Sequence, residues 1–203
     1  LNKFAGMDCY VGVDLAATSD LTAVAYLVVL DGTYYFKTHY YLPESALKDK
    51  ADKELYKYWK QQGYLTVTSG NVTDYDYITA DMLRYADVVN IQSVGYDKYN
   101  ATQWAIDSTE QGLPLEEYPQ TLGNFNMPTR ELERLILSGK AVIDNNEINR
   151  YCFRNVTLKS DYNGNVKPNK AVDKKKIDGT IAMIQALGMF LRNPRFSNEI
   201  ITI

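Results

Sequence analysis

Two β-rich runs separated by Asp31-Gly32 constrain this chain more than any other feature. Residues 22–30 and 33–42 are crowded with valine, tyrosine, threonine and phenylalanine. An Asp-Gly pair between such runs is a two-residue turn whose twist suits antiparallel strands. The apolar run 9–14 reads as a third, buried strand ahead of this hairpin, and Pro43 closes the unit. Next comes a charged amphipathic helix over 44–61 carrying Leu47, Leu55, Tyr58 and Trp59. The patterning then predicts a strand at 64–68, a helix at 75–89, a strand at 91–96, a helix at 101–111 and a strand at 115–118. A helix over 128–138 takes proline at its first position and stops at Gly139. A strand at 141–143, a helix at 145–154, a protruding hairpin around Asn163-Gly164 and a helix over 176–192 complete the pattern. Three antiparallel strands followed by strands alternating with helices describe a mixed sheet with helices on both faces, in one domain.

Composition removes several classes of function. No apolar stretch approaches the ~18 residues of a membrane span. Cys9 and Cys152 are the only cysteines and form no CxxC pair, which argues against structural zinc and disulfides and fits a reducing cytoplasm. His39 is the only histidine and lies inside a strand pattern, so Ser-His-Asp or Cys-His chemistry has little to work with. The net charge of −3 does not suggest a free-standing nucleic-acid binder. Its distribution is more informative. Arg154, Lys159, Lys167, Lys170, Lys174, Lys175 and Lys176 stand against Asp161 and Asp173, making 154–176 a basic segment that runs into Asp178. The chain starts at Leu1, which reads as the C-terminal part of a larger protein.

Three aspartates, far apart in sequence, sit at equivalent places. Asp14 ends the apolar run Val11-Gly12-Val13, Asp97 ends Val94-Gly95-Tyr96, and Asp178 opens an apolar helix. Each has an ordinary explanation. Asp14 and Asp97 suit turns after a strand, and Asp178 suits the positive end of a helix dipole. Together they suggest carboxylates converging on divalent metal, because like charges so placed repel without a cation. Hard ions such as Mg²⁺ or Mn²⁺ take oxygen ligands, with a phosphate ester as the usual third party. Thr18 and Asp20 add oxygen near Asp14, either as supporting groups or as turn residues. Gly12 shares the face of Asp14, and Gly95, two residues before Asp97, leaves space for a metal or substrate. Lys98 beside Asp97 either meets a phosphate or points to solvent.

Read in order, Val-Gly-Val-Asp14-Leu-Ala-Ala-Thr18-Ser-Asp20-Leu-Thr, Val-Gly-Tyr-Asp97-Lys98-Tyr, and the basic hairpin leading to Lys175-Lys176-Ile-Asp178-Gly resemble the nuclease domain of the tailed-bacteriophage terminase large subunit. The resemblance covers about residues 10–190; arginine is usual after the second aspartate, so Lys98 departs from the pattern. It implies a ribonuclease H-like fold and an endonuclease that cuts concatemeric double-stranded DNA during packaging. On that basis Asp14, Asp97 and Asp178 would hold two Mg²⁺ or Mn²⁺ ions, and Lys98, Lys167, Lys170, Lys174, Lys175 and Lys176 would contact the DNA backbone. Packaging needs an ATPase, and no GxxxxGK[ST] loop is present. The motor is therefore expected upstream in the parent protein, with portal and small terminase subunit as partners in the bacterial host cytoplasm. A Holliday-junction resolvase or transposase core shares this carboxylate logic. An actin-like or sugar-kinase domain shares the opening strand but needs glycine-rich phosphate loops not found here.

Overall fold

The computed structural model describes residues 2–16, 18, 20–48, 52–99, 101–172 and 175–192. Strands β1 (Asp8–Asp14), β2 (Thr22–Leu30) and β3 (Thr33–Pro43) form an antiparallel meander. Asp31 and Gly32 turn it with φ of 50° and 70°, the left-handed pair that a type I′ hairpin requires. After helices α1 (Lys53–Gln61) and α2 (Tyr75–Ala86), strand β5 (Asn90–Tyr96) adds to β1 in parallel. Helix α3 (Thr102–Glu110) then leads to β6 (Leu115–Glu117), parallel to β5. Strands β4 (Thr66–Thr68) and β7 (Ala141–Ile143) pair with opposite ends of β3. The sheet order is β4-β3-β2-β1-β5-β6, with β7 beside β3. Helices α4 (Leu122–Leu137), α5 (Glu147–Arg154) and α6 (Asp178–Arg192) follow, with the hairpin β8 (Val156–Ser160) and β9 (Val166–Lys170) between the last two.

Strand alternation gives the sheet two apolar faces. Tyr10, Ala23, Ala25 and Tyr40 face a core built with α1, α4, α5 and α6. Val11, Val13, Val24 and Tyr26 face α2 and α3. His39 belongs to this second side, opposite Asp14. It hydrogen-bonds the Tyr85 hydroxyl, and burial pushes its pKa down to about 4.

Helix α6 is buried on every side from Asp178 to Phe190, as its nearly unbroken apolar sequence requires. It runs along β1 in the opposite direction, with residues 182–186 over Gly12 and Phe190 against Tyr10. Gly12 and Gly95 thus make room for this helix, and the space expected at Gly95 is not for a metal or substrate. A Cβ on Gly12 would lie 2.1 Å from the Ala182 carbonyl oxygen, and one on Gly95 would lie 2.6 Å from Met189 Cγ.

Two helices depart from the expected pattern. The stretch 44–61 is a 3₁₀ turn at Glu44–Leu47 followed by α1, because Ser45 is tied to another loop. Its N–H reaches Gly70 O (3.1 Å) and its hydroxyl reaches Asn71 O (3.2 Å). Helix α4 begins at Leu122, with Pro128 in its interior. Thr121 caps it by accepting from Asn124 N–H. Pro128 deprives the Asn124 carbonyl of its helical donor, and the Tyr118 hydroxyl supplies one at 2.7 Å. Tyr118→Phe should therefore leave that carbonyl unpaired and cost about 1–2 kcal/mol. A thermal melt should fall by roughly 2–8 °C, and an unchanged melt would show that this bond does not hold α4.

Candidate metal centre

Parallel pairing sets Val13 beside Tyr96, so β1 and β5 deliver Asp14 and Asp97 to the same end of the sheet. Alternation puts Asp14 on the face of Gly12, where α6 lies. Asp14 is two residue steps along the strand from Gly12, about 6.6 Å. Asp178 is four residue steps along the helix from Ala182, about 6 Å. With Ala182 over Gly12 and the directions opposed, this matching of rises brings Asp178 over Asp14.

Gln120 links the first two aspartates. Its side-chain amide donates to Asp14 Oδ1 (2.9 Å) and its backbone N–H donates to Asp97 Oδ2 (2.9 Å). Asp97 Oδ1 also accepts from Tyr99 N–H at 3.0 Å. Asp178 is 7% exposed, and its Oδ2 is buried with no hydrogen-bond partner. Burial raises the Asp14 carboxyl well above the usual carboxylate range, and repulsion from Asp178 raises it further. The Gln120 amide and Lys170 act in the other direction, while Asp97 adds a smaller upward push. Burial likewise raises Asp178 against the pull of its own backbone N–H, Lys170 and Lys176.

The donor set fits a hard divalent cation. It consists of carboxylate oxygens, one of them buried and orphaned, at a rim where negative charges already oppose one another. Among the described residues no three His, Cys, Asp or Glu side chains are drawn together as metal ligands. Carboxylates without a cation have electrostatic reason to stay apart.

The basic residues fall into distinct places. Lys176, 8% exposed, forms an ion pair with Asp20, and Lys170 Nζ lies 3.9 Å from Asp20 Oδ2. Lys167 Nζ donates to Gln120 O at 3.4 Å. Lys98 pairs with Glu117 at 3.3 Å on the exposed side of the rim. Lys175 sits over the Tyr151 ring of α5. Thr18 is exposed, and Lys174 lies outside the described residues. Ala16 is tied to the start of β2 by the Thr22 hydroxyl, which accepts from Ala16 N–H and donates to Ala16 O. Sequence reasoning missed Gln120, which belongs to no motif. Its place just past the strand beside the one bearing Asp97 was the available signal, since open α/β sheets build sites beyond the carboxyl ends of their strands.

Over residues 1–193 the chain matches the family described as terminase large subunit, endonuclease domain. It is 32% identical over 206 residues to protein YmfN of Escherichia coli K12, covering 93% of this chain and 44% of that one. It is 29% identical over 187 residues to the terminase large subunit of Enterobacteria phage HK97, covering 88% and 36% respectively. The HK97 large terminase crystal structure gives a TM-score of 0.82 at 28% identity, over 91% of this chain and 40% of that one. The large terminase nuclease of thermophilic phage G20c, solved with bound magnesium, gives 0.60 at 12% identity, over 89% and 80%. The fold is thus the ribonuclease H-like one of terminase nucleases, and the chain spans less than half the length of its YmfN and HK97 relatives.

Proposed function

The chain belongs to the terminase large-subunit endonuclease domain family, and on that premise we propose that it cuts concatemeric double-stranded phage DNA during packaging. Asp14, Asp97 and Asp178 are the residues that hold divalent metal, two Mg²⁺ or Mn²⁺ ions in the complete site. The observation that carries this reading is the convergence of two strand ends and one helix start. Asp14 and Asp97 share Gln120, and Asp178 contributes an unpartnered oxygen on the Asp14 side. The magnesium in the G20c relative supports the same choice of ion.

When bound, such ions acidify a water and neutralise charge on the scissile phosphate. The protein's own part is geometric. Gln120 fixes the spacing and orientation of Asp14 and Asp97 through one side-chain and one backbone donor. The buried start of α6 keeps Asp178 out of bulk water, where its charge acts more strongly. Lys98, Lys167, Lys170, Lys174, Lys175 and Lys176 supply positive charge for the DNA backbone and carry no base readout. Thr18 and Asp20 support the rim from the loop after β1. We assign the 203-residue chain to a single nuclease unit. ATP-driven translocation belongs to a part of the protein outside it, with portal and small subunit as partners in the host cytoplasm.

Supercoiled plasmid tests the proposal. Nicking and linearisation should appear in Mn²⁺ or Mg²⁺, with little sequence preference, and vanish when EDTA removes the metal. Cleavage that persists in EDTA would refute a metal-dependent mechanism.

A further inference from the structure

We propose that Lys170 is the substrate-positioning residue of this site, the cation that engages the scissile phosphate itself while other lysines grip flanking DNA or hold structure. This rests on the nuclease reading above and divides the basic segment by role. On β9, Val166 and Pro168 are buried and Asn169 is exposed, so alternation puts Lys170 on the inward face of the hairpin. The hairpin is held there by α4. Asn126 accepts from Val166 N–H at 2.9 Å, and Arg130 donates to Gly164 O at 2.6 Å.

From that position the Lys170 ammonium acts on both Asp14 and Asp178. Its contact with Asp20, 3.9 Å, is an ion pair too long for a hydrogen bond, and its side chain is 36% exposed. A loosely paired ammonium within electrostatic reach of two carboxylates can turn to a phosphate oxygen without breaking a strong bond. Lys176 differs, because its side chain is 10% exposed and it is bonded directly to the same Asp20. Lys175 is turned toward α5. Asp20 thus fixes Lys176 as a support and leaves Lys170 close to the acidic rim. Lys170 would donate to a non-bridging phosphate oxygen, with no proton transferred to or from it.

Single-turnover cleavage at saturating DNA with Mn²⁺, read beside DNA affinity, tests this. Lys170→Ala should lower the cleavage rate about 10²–10³-fold, the usual effect of losing one preorganised donor, with affinity within about threefold. Lys170→Arg should recover part of the rate, and Lys60→Ala, which removes an exposed lysine of α1 outside the basic segment, should leave the rate unchanged. A melting curve on each variant separates a folding defect from a positioning one. If Lys170→Ala weakens binding but cleaves at the normal rate when saturated, or cleaves normally throughout, this inference fails and the nuclease reading stands. If the unaltered chain cleaves in no divalent metal, the nuclease reading fails and this inference with it.

Discussion

Asp178→Asn should raise the melting temperature of the metal-free protein by several degrees while reducing DNA cleavage about a thousandfold or more. The two effects share one cause. Asp178 is buried at the start of α6 with one oxygen unpaired, and burial outweighs its own backbone N–H, Lys170 and Lys176 in setting its pKa, which is raised. A carboxyl raised in the folded state binds protons more tightly there than in the unfolded chain. Its contribution to stability is fully present below the unfolded pKa of about 3.9 and is lost as pH rises through the folded value. Asp14 is raised in the same direction. Protein in EDTA should therefore lose stability from acid toward neutral pH through these groups, and the neutral amide of Asp178→Asn should remove part of that loss. Metal reverses the balance, since an ion that binds only the folded state stabilises it by mass action. Mg²⁺ or Mn²⁺ should raise the melting temperature of the unaltered chain and barely move the variant. Losing a metal ligand removes several kcal/mol of transition-state stabilisation, and about 1.4 kcal/mol is tenfold in rate. An Asp178→Asn protein that melts lower than the unaltered chain in EDTA would show that this carboxylate is held for stability instead.

Gly12→Ala should be the most damaging small substitution in the sheet, costing about 3 kcal/mol or more and some 6–12 °C in melting temperature. The added Cβ would stand 2.1 Å from Ala182 O and 2.4 Å from Ala186 N, backbone atoms that no rotamer change can move. Relief requires shifting α6, which carries Asp178, so metal-induced stabilisation should fall with the melting temperature. Gly123→Ala is the matched control. It lies in the first turn of α4 with nothing within 4 Å of the added Cβ. Helix propensity predicts a gain there of up to about 1 kcal/mol. Similar melting curves for the two variants would mean that close approach of α6 to β1 is not what positions Asp178.

Much of this architecture is legible before any coordinates because its signals are local. The Asp31-Gly32 turn and its flanking runs specify the hairpin, and the strand ends at Asp14 and Asp97 follow from apolar runs that stop on a carboxylate. Features set by distant partners are harder to read. Pro128 looks like a helix start until Thr121 caps the chain seven residues earlier and Tyr118 satisfies the carbonyl that proline strands. Gly95 looks like space for a ligand until α6 fills it. Gln120 has no motif and is found only once β6 is placed beside β5. The lysines of the basic segment are alike in sequence, and only the fold separates the one facing the acids from the one buried on Asp20. Family membership sets aside the resolvase and actin-like alternatives, which residue patterns alone left open.

Crystals grown at neutral pH with Mn²⁺, examined by anomalous scattering, test the metal centre most directly. The account predicts manganese at the rim where β1, β5 and the start of α6 meet, with oxygens of Asp14, Asp97 and Asp178 in its coordination shell at about 2.0–2.3 Å. Manganese bound by no more than one of these three, or only elsewhere on the molecule, would contradict it.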